Sequence, residues 1–362
     1  MEPDPLFWVH LNVDYPFHLK GILFFPKQNR RFDQEQKSIH LFCNKVFVSD
    51  QCQEILPDYL MVLKGALDSK DLPLNVSRSY LQIDPTVKQL SAHIGKKIAD
   101  RLTLLLRNEK EQYIKSWKEV EPFLKLGILQ DAKFYERVKE LLLWKNNKEE
   151  WTTLEDYLER AKEKKVYYTT SHHKDSLCEI LEEKGLEILF ANSSIDTAVI
   201  QFLEEKLKTS FQRIDGALPQ DLLAPSHEEG QPQATKIAEW IQKHLDQHQL
   251  QVEAKSLSSD KLPALVVIDE NQRRLRDYLA LTQGKTASEQ FEPKKSFIVN
   301  TNHPLIQSMD RINEKQPEVA KEMIRSLYQL SLLRQKEIKP EDLDPFLVHQ
   351  TSILEKFASL LV

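Results

Sequence analysis

Glycine and cysteine are both scarce in this chain of 362 residues, which contains 8 glycines and 3 cysteines. The sequence has no Gly-x-x-x-x-Gly-Lys and no Gly-x-Gly-x-x-Gly motif, which argues against a glycine-rich phosphate cradle within this chain. The cysteines are Cys43, Cys52 and Cys178, and they form no Cys-x-x-Cys pair. An odd, sparse set of this kind indicates a reducing compartment and no disulfide framework.

Long apolar runs and an excess of positive charge are lacking as well. No apolar stretch approaches the roughly 20 residues that span a membrane, and the N-terminus lacks a basic region followed by an apolar core. The formal net charge is −5, which argues against nucleic acid as the main partner. The sequence therefore predicts a cytoplasmic protein with neither a membrane nor a nucleic-acid partner.

Metal and nucleophile sites are weakly indicated. His172 and His173 are adjacent and lie near Cys178, which could suggest a metal, but the sequence places no fourth ligand. We interpret the histidine pair as the polar start of a helix and predict no metal site. No Ser/His/Asp or Cys/His set stands out, although such sets are assembled in space.

The first part of the chain predicts strands followed by a long helix. Apolar residues alternate over residues 5–13, and further strands are predicted at Leu19–Phe25 and Ile39–Val48. A helical segment is predicted at Asp58–Leu67, and a longer helix begins near Pro85, because proline favours the first helical position. The apolar residues of this longer helix recur every three or four positions and form one stripe: Val87, Leu90, Ile94, Ile98, Leu102 and Leu105.

The central part of the chain predicts more helix and a small parallel sheet. Glu109–Lys148 is predicted to be helical throughout, with Gly127 ending one helix. Thr152 and Glu155 form a candidate capping box for a helix that runs to Lys164. A strand, helix and strand then follow, at Val166–Thr170, His173–Lys184 and Leu186–Phe190, with Gly185 closing the helix. A further helix is predicted at Ile195–Lys206.

The last part of the chain begins after a segment that is rich in proline, glycine and acidic residues, Ala217–Gln233, which predicts a linker. Beyond it the pattern indicates a helix, three strands and a partly ordered helical segment at Asp269–Gly284. Two long helices with apolar residues every three or four positions end the chain. Such a helical hairpin is marginal alone, so it needs its own domain or a second copy of the chain.

The segment between Asp71 and Gln82 has the strongest functional pattern. Pro73 blocks a regular helix, and Asn75 favours local hydrogen bonds from its side chain to the backbone. We therefore predict an ordered loop that presents Arg78 and winds into helix, with Gln82 four residues further on and on the same face. A guanidinium beside a carboxamide suits a phosphate and its attacking water. The alternative is a surface arginine beside a turn asparagine.

The motif Leu72-Pro-Leu-Asn-Val-Ser-Arg78 resembles the catalytic loop in the middle domain of the heat-shock chaperones of about ninety kilodaltons. The bacterial form of this family is called high-temperature protein G. The resemblance covers nearly the whole chain, from Pro5-Leu-Phe-Trp-Val-His-Leu11 to Phe297-Ile-Val-Asn-Thr-Asn-His-Pro304 and the two terminal helices.

The resemblance implies an α/β (α+β) fold. The middle domain is expected to be an αβα-sandwich in two lobes, residues 1–107 and 165–218, joined by a helical connector at 108–164. A linker at 219–233 is followed by a mixed α/β C-terminal dimerisation domain at 234–362, which ends in a helical hairpin.

The resemblance also implies a catalytic role in ATP hydrolysis. The family's N-terminal ATP-binding domain, which binds ATP and Mg²⁺, would precede Pro5 and is absent, so Met1 is an internal methionine, an artificial start or the start of a truncated gene. By resemblance, Arg78 contacts the γ-phosphate with Asn75 and Gln82 in support, as an arginine finger worth roughly a thousandfold in rate. The chain alone is expected to bind no cofactor.

The expected protein partners are unfolded or partly folded client proteins, the chain's own ATP-binding domain and a second copy of the chain. Client contacts are predicted at Leu275, Tyr278 and Leu279, which alternatively cover the C-terminal core, and at Phe202. Some family members carry tryptophan at the position of Ala198, which weakens the last expectation. The predicted dimer interface is formed by Leu327, Leu330, Phe346, Leu347, Ile353, Leu354, Phe357 and Leu361.

Two functions follow from the sequence. The first is the middle and C-terminal part of an ATP-dependent molecular chaperone. The alternative is a nucleotide-free dimeric module that holds clients or acts as a scaffold. The feature that distinguishes them is whether an ATP-binding domain is encoded upstream of Met1.

Overall fold

The computed structural model describes most of the chain, namely residues 5–15, 17–27, 39–50, 55–71, 85–161, 164–216, 222–223, 231–245, 249–283, 290–335 and 337–361. The chain divides into two compact units. The first unit consists of Met1–Lys145, Glu149–Lys162 and Ser193–Thr209, and the second of Asn146–Lys148, Glu163–Asn192 and Ser210–Val362. The fold is mixed α/β, and it ends in long helices, as predicted.

A five-stranded sheet organises the first unit. Its strands are β1 (Phe7–Val13), β2 (Leu19–Phe25), β3 (Ile39–Cys43), β4 (Val46–Ser49) and β5 (Lys64–Asp68). They are ordered β1-β2-β5-β3-β4, and only β3 and β5 run parallel. Side chains along β1 alternate strictly between buried and exposed, so one face of this strand packs on the core, as the alternation predicts.

The central strand of this sheet, β5, corrects the predicted helix at Asp58–Leu67. Only Asp58–Leu60 is helical, as a short 3-10 helix, and the chain then extends between β2 and β3. Gly65 has a φ of +148°, and a Cβ there would stand 2.1 Å from the carbonyl oxygen of Ile22. Hydrogen bonding to a strand on each side outweighs the helix-like spacing of the leucines.

The predicted strand at Ile39–Val48 is a hairpin instead. β3 and β4 pair in antiparallel fashion, and Asn44 and Lys45 between them have φ values of 50° and 65°. Both residues lie in the left-handed region, which tight hairpin turns require and which asparagine tolerates well. The turn therefore divides one apolar run into two strands.

Helices and a short hairpin complete the next part of the chain: α1 (Pro85–Asn108), α2 (Lys110–Lys115), α3 (Trp117–Gln130), α4 (Ala132–Val138), β6 (Trp144–Asn146), β7 (Trp151–Thr152) and α5 (Leu154–Arg160). α1 begins at the predicted proline, and all six residues of its predicted apolar stripe are buried. The prediction of helix throughout Glu109–Lys148 is wrong at its end, where β6 pairs with β7.

The start of α5 lies one residue later than predicted, and its end four residues earlier. Thr153, rather than Thr152, is the N-cap, and its side chain accepts a hydrogen bond of 3.1 Å from the backbone N–H of Asp156. Thr152 instead belongs to β7 and is buried. Strand pairing at Thr152 moves the cap to the next hydroxyl, which can satisfy the same free backbone donor.

Gly127 lies inside α3 and does not end it, contrary to the prediction. A Cβ at Gly127 would stand 2.6 Å from Cε1 of Phe134, so the glycine makes room for a ring from α4. α3 ends at Gln130 because Asp131 caps α4 by accepting hydrogen bonds from the backbone N–H groups of Lys133 and Phe134, at 2.8 and 3.0 Å.

The second unit begins with a parallel sheet, as predicted. The parallel strands are β8 (Lys165–Thr169), β9 (Ile188–Phe190) and β10 (Ser210–Arg213), and β8 pairs with the other two. They belong to a sheet of five strands in the order β10-β8-β9-β6-β7. α6 (Ser176–Glu183) connects β8 to β9 and is followed by Gly185 at a φ of +79°. α7 (Asp196–Leu207) belongs to the first unit.

A second core in this unit forms around a three-stranded sheet. The elements are α8 (Gln231–Leu245), β11 (Leu250–Lys255), β12 (Ala264–Ile268), α9 (Glu270–Gln283), β13 (Lys295–Asn300), α10 (Pro304–Lys315), α11 (Pro317–Arg334) and α12 (Pro340–Leu361). The strand order is β11-β13-β12, with β11 parallel and β12 antiparallel to β13. Apolar residues of α8, α10 and α11 pack with the sheet in one buried cluster. The predicted linker lies largely outside the described residues.

Substitution of the two glycines in the helices of the first unit should have opposite effects. Gly127→Ala brings a Cβ against the Phe134 ring, so we expect it to lower the free energy of unfolding by about 1–3 kcal/mol. Gly95→Ala is the matched control. Its Cβ would meet its nearest atoms only at 3.7 and 4.0 Å, so the higher helix propensity of alanine should raise stability by up to about 1 kcal/mol. Urea unfolding followed by circular dichroism measures both, and equal effects would contradict the packing argument.

Candidate functional site

The predicted catalytic loop lies outside the described residues, because Asn75, Arg78 and Gln82 all fall within residues 72–84. Their positions and contacts are therefore not described, and their roles stay predictions. The two ends of the segment are described. The segment follows Asp71, which comes three residues after the end of β5, and it precedes Pro85, the first residue of α1.

The upstream end is held by hydrogen bonds at Asp71. Its carboxylate accepts a hydrogen bond of 2.5 Å from the backbone N–H of His18, and Nδ1 of His18 lies 3.0 Å from the same oxygen. These hydrogen bonds lower the pKa of Asp71, the backbone bond most and the side-chain bond next. Two residues earlier, the backbone N–H of the buried Ser69 donates to the carbonyl of Phe42 at 3.1 Å. The chain is thus tied to β3 and to the start of β2 before the segment begins.

The downstream end is held by packing rather than by polar contacts. Val87 and Leu90, in the first two turns of α1, are almost completely buried. Because these side chains are in the core, the start of α1 cannot shift without exposing apolar surface. Both ends of the 72–84 segment are therefore attached to rigid elements of one unit, which a residue that must reach a defined position requires.

The predicted client segment forms α9, with an apolar surface exposed to solvent. Leu275 is 46% exposed and Tyr278 is 61% exposed, while Leu279 is half-buried. Two large apolar side chains three residues apart lie on the same side of a helix. The segment is thus helical over Glu270–Gln283, and it presents part of the surface that the prediction requires.

A buried polar network fixes the N-terminal turn of α9. The hydroxyl of Tyr168, in β8, donates to Glu270 at 2.9 Å. The Arg273 guanidinium donates to both carboxylate oxygens of Glu270, at 2.6 and 2.9 Å, and to the Tyr168 oxygen at 3.1 Å. Residues 102 and 105 positions apart in the sequence are thereby joined within the second unit.

Charge and burial act in opposite directions on this network. Burial raises the pKa of Glu270, but its hydrogen bonds and the positive charge of Arg273 outweigh burial, so the pKa is lowered overall. Burial, followed by the Glu270 charge, raises the pKa of Tyr168. Glu270 is therefore ionised and Tyr168 neutral at pH 7. The charged partners Arg273 and Arg274 lie on α9 with Glu270, so these ion pairs stabilise the N-terminal turn of the helix itself. The hydrogen bond from Tyr168 connects this turn to β8.

Further along α9, Arg276 forms a two-pronged ion pair. Its two terminal nitrogens donate to the two carboxylate oxygens of Glu337, at 2.9 and 2.8 Å. Glu337 follows α11, and its side chain is largely buried. The bidentate geometry fixes direction as well as distance, so α9 is attached near its middle as well as at its start.

Phe202, the other predicted client contact, is half-buried in α7. Its ring packs edge-on against Tyr135 with centroids 5.1 Å apart, and Nζ of Lys206 lies 5.7 Å from the ring centroid. These neighbours belong to the first unit. Part of the ring is therefore committed to intramolecular packing, and its role towards clients stays a prediction.

The residues predicted for the dimer interface divide into two groups. Leu327, Phe346 and Ile353 are buried within the chain. Leu330, Leu347, Leu354 and Phe357 are exposed, with Leu354 at 68%. The side chain of Leu361 lies outside the described residues.

The buried side of the terminal hairpin also contains polar contacts between α11 and α12. The hydroxyl of Ser326 donates to Gln350 at 2.7 Å. The ring nitrogens of His349 lie 2.7 Å from Oε1 of Gln329 and 3.2 Å from a carboxylate oxygen of Glu322. These contacts fix the register of the two helices, because sliding one past the other would break all three.

The histidine pair does not form a described metal centre. His172 and His173 are exposed and precede α6, whereas Cys178 is completely buried inside it. Burial, the largest cause, raises the pKa of the Cys178 thiol to about 12. Across the described ranges, no group of three or more histidine, cysteine or acidic side chains could hold a metal ion. In the same ranges, no helix is long and apolar enough to cross a membrane.

The sequence analysis missed the network of Tyr168, Glu270 and Arg273. One local signal was available, since Glu270 stands three residues before Arg273, the spacing of neighbours on a helix surface. Tyr168 gave no such signal, because its position on a strand says nothing about a partner that is distant in the sequence. Lys125 was missed for the same reason. It is fully buried in α3, and its ammonium contacts Glu121 and Asp196.

Removal of the Tyr168 hydroxyl should destabilise the second unit in a pH-dependent way. Tyr168→Phe removes one donor to the partly buried Glu270, which should lower the free energy of unfolding at pH 7 by about 1–3 kcal/mol. A carboxyl with a lowered folded pKa contributes stability above its ordinary pKa, and this contribution is lost as the pH falls through the lowered value. The difference from wild type should therefore shrink on the acidic side of pH 4.5, the ordinary pKa of the group.

Tyr278→Phe is the matched control, since this hydroxyl belongs to an exposed side chain of α9, the helix that contains Glu270. Its effect on unfolding should stay within about 0.5 kcal/mol at every pH. Urea unfolding between pH 3 and 7 measures both variants. An effect of Tyr168→Phe that does not change with pH would show that Glu270 is not the partner that matters.

Comparisons with known proteins agree with the resemblance seen in the sequence. A family model described as Hsp90 protein matches residues 2–360. A protein named Chaperone protein HtpG from Porphyromonas gingivalis (strain ATCC 33277) is 35% identical over 323 residues, which cover 84% of this chain and 47% of the relative. Chaperone protein htpG from Bacteroides fragilis (strain YCH46) is 32% identical over 337 residues, with coverage of 88% and 50%.

A more distant relative, Chaperone protein HtpG from Myxococcus xanthus (strain DK1622), is 29% identical over 378 residues. The matched part covers 98% of this chain and 57% of the relative. The chain thus spans about half the length of the curated relatives it matches. Because the Hsp90 model matches nearly every residue, this chain belongs to the Hsp90 family.

Proposed function

We propose that this chain supplies the middle and C-terminal domains of an ATP-dependent, Hsp90-type chaperone of the cytoplasm. In this proposal the middle domain is an αβα-sandwich in two lobes with the connector at residues 108–164, and the dimerisation domain follows at 234–362. The observation that carries the proposal is the rigid attachment of both ends of the 72–84 segment. Asp71 is tied to His18 at one end, and α1 is packed into the core at the other.

Arg78 is the residue proposed to act on the nucleotide. The guanidinium is always charged and has a planar fork of donors, so it offsets the charge that develops on the oxygens of a transferring phosphoryl group. Asn75 and Gln82 support it with neutral hydrogen-bonding groups. The nucleotide and its Mg²⁺ belong to a separate ATP-binding domain, and the chain contributes the arm that reaches towards them.

The rigid attachment matters because an arginine finger acts through its position. Misplacement by about 1 Å can cost on the order of a hundredfold in rate. Only three residues separate the segment from the end of the central strand β5 at Asp68, and α1 follows the segment directly. Motion at either end is therefore opposed by the core of the first unit rather than by the loop alone.

The terminal hairpin supports self-association. α11 covers only part of the apolar surface of α12. Phe346 and Ile353 of α12 are buried, whereas its Leu347 and Leu354 are exposed. At 100° per residue, Leu347 lies about a quarter-turn around the helix from Phe346. The exposed set recurs with steps of four and seven residues, the spacing of a helix–helix seam, at Leu343, Leu347 and Leu354. A second copy of the chain would bury this seam and form a four-helix bundle.

Client binding is proposed at α9. Leu275 and Tyr278 offer exposed apolar surface, and the polar network at Glu270 and the ion pair at Arg276 hold the helix that carries them. Exposed apolar side chains on a helix that is held in place can bind unfolded chains, because unfolded chains expose apolar side chains as well. Leu279, which is half-buried, extends this surface in the proposal, and the half-buried Phe202 is proposed as a separate client contact in the first unit.

Arg78→Ala is the direct test of the catalytic proposal. The wild-type chain is added in excess to a separately produced Hsp90-type ATP-binding domain, and ATP turnover is measured. We expect stimulation by the wild-type chain, and a loss of that stimulation by roughly a thousandfold or to background with Arg78→Ala. Arg107→Ala, which removes an exposed arginine at the other end of α1, is the control and should stimulate like wild type.

The ATP-binding domain and this chain can also be joined by a covalent linker and assayed in the same way. This second assay does not depend on association of two separate proteins. Stimulation that survives Arg78→Ala in the linked protein would refute the catalytic role. A linked protein that shows no stimulation of ATP turnover but still prevents aggregation of an unfolded client would support the nucleotide-free holding module instead.

Charged residues in the exposed seam of α12 should abolish the dimer. Leu354→Glu with Phe357→Glu would place carboxylates in an apolar bundle, where burial of a charge is costly. We expect the wild-type chain to have twice the monomer mass by light scattering, and the double variant to have the monomer mass. The control is Leu104→Glu with Leu207→Glu, which changes two exposed leucines of the first unit. Dimers that persist in the seam variant would place the interface elsewhere.

A further inference from the structure

A cavity of about 510 Å³ lies within the first unit, beside the helix that follows the 72–84 segment. Its walls are the first part of α1, the 3-10 helix at Asp58–Leu60, and the corner between α3 and α4. Its volume falls within the roughly 300–1,000 Å³ of typical small-molecule sites.

Two aromatic rings form the floor of this cavity. Tyr59 and Phe134 pack with centroids 4.7 Å apart and are only 3% and 2% exposed. The hydroxyl of Tyr59 donates to Asp131 at 3.3 Å, and burial, followed by the Asp131 charge, raises the pKa of this hydroxyl. The floor is therefore rigid and neutral, but it offers little apolar surface to a ligand.

Basic side chains line the cavity from two helices. Lys88 and Lys96 lie two turns apart on α1, about 12 Å along its axis, and Lys133 and Arg137 lie one turn apart on α4. All four are exposed. Within the described part of the chain none of them has an ion-pair partner, whereas the neighbouring Lys139 pairs with Glu136 at 3.1 Å.

Two acidic residues line the same cavity, and one of them is already engaged. Asp131 accepts hydrogen bonds from Tyr59 and from the backbone N–H groups that begin α4. Asp58 is the other. The lining is therefore positive overall, in a chain whose net charge is −5. A concave site lined mainly by one sign of charge concentrates ligands of the opposite sign.

The chemistry of the cavity favours phosphate over carboxylate-bearing peptides. Lysine ammonium groups and the arginine fork both bind phosphate oxygens. Four cations from two helices can hold two or more phosphate groups at once, and they carry more positive charge than a single phosphate group can neutralise. An acidic peptide would also need a free strand edge or an apolar groove for its backbone or side chains, and the nearly buried rings of the floor supply no such groove.

We propose that this cavity binds a small molecule with two or more phosphate groups, held by Lys88 and Lys96 from α1 and by Lys133 and Arg137 from α4. Such a ligand bridges α1 to α4. Since α1 starts where the 72–84 segment ends, the bound ligand stiffens the base of that segment. The proposal needs no nucleotide-binding domain and stands independently of the catalytic role of Arg78.

Isothermal titration calorimetry of the whole chain with inorganic tripolyphosphate, at low ionic strength, tests the site. We expect one tripolyphosphate per chain and a large excess of affinity over orthophosphate. Lys133→Gln with Arg137→Gln should weaken binding by roughly tenfold or more, because it removes both cations of one wall. Lys115→Gln with Lys118→Gln is the matched control, since both are exposed lysines of the first unit outside the cavity.

The control variant should bind within about twofold of wild type, because its two lysines lie outside the cavity. Since the two variants lose equal charge, a difference between them reports contacts at the site rather than net charge. Equal weakening in both variants would show diffuse charge attraction and overturn the proposal, as would binding without a defined stoichiometry. Circular dichroism establishes that both variants are folded, and tripolyphosphate should raise the melting temperature of the cavity variant less than that of the control. An acidic decapeptide that binds more tightly than tripolyphosphate, with the same dependence on Lys133 and Arg137, would refute the assignment to a small phosphate compound.

Discussion

The pairing of β5 between β2 and β3 is the constraint on which the first unit depends. This strand joins the antiparallel half of the sheet to the β3–β4 hairpin, and Gly65 allows it to approach Ile22 closely. The end of β5 leads within three residues to Asp71, whose carboxylate is bonded to His18. The start of the proposed catalytic segment is thus set by the centre of the sheet, because a central strand cannot shift without breaking hydrogen bonds on both sides.

Charged side chains perform two different tasks in this chain. Where they are buried, each has partners, as for Lys125 with Asp196 and for Glu270 with Arg273. The Lys125–Asp196 pair joins α3 to α7, since separating the two helices would leave a costly unpaired charge. The Glu270–Arg273 pair lies within α9 and stabilises its first turn. The basic side chains around the α1–α4 cavity are exposed and have no ion-pair partner among the described residues. Water stabilises them there at little cost, and they remain available to an anionic ligand.

Much of the fold could be predicted from local pattern alone. Strict alternation identified β1, and a proline followed by apolar residues at helical spacing identified α1. The motif around Arg78 led to the family, because its order of residue types is specific. The candidate site was predicted less completely. Tyr168 and Glu270 are 102 positions apart, and no periodicity within either segment contains information about the other.

The sequence by itself determined the family, the helical stripe of α1 and the parallel β8–β9 unit, because each is written in residues that are close together along the chain. Only the tertiary structure decided that residues 64–68 form a strand, that Gly127 lies inside a helix, and that α11 covers one side of α12 and leaves Leu354 exposed. The physical reason is the same in each case. Strand pairing, ring packing and helix coverage are set by contacts between distant segments, and their free energies outweigh the small local preferences from which the sequence is interpreted.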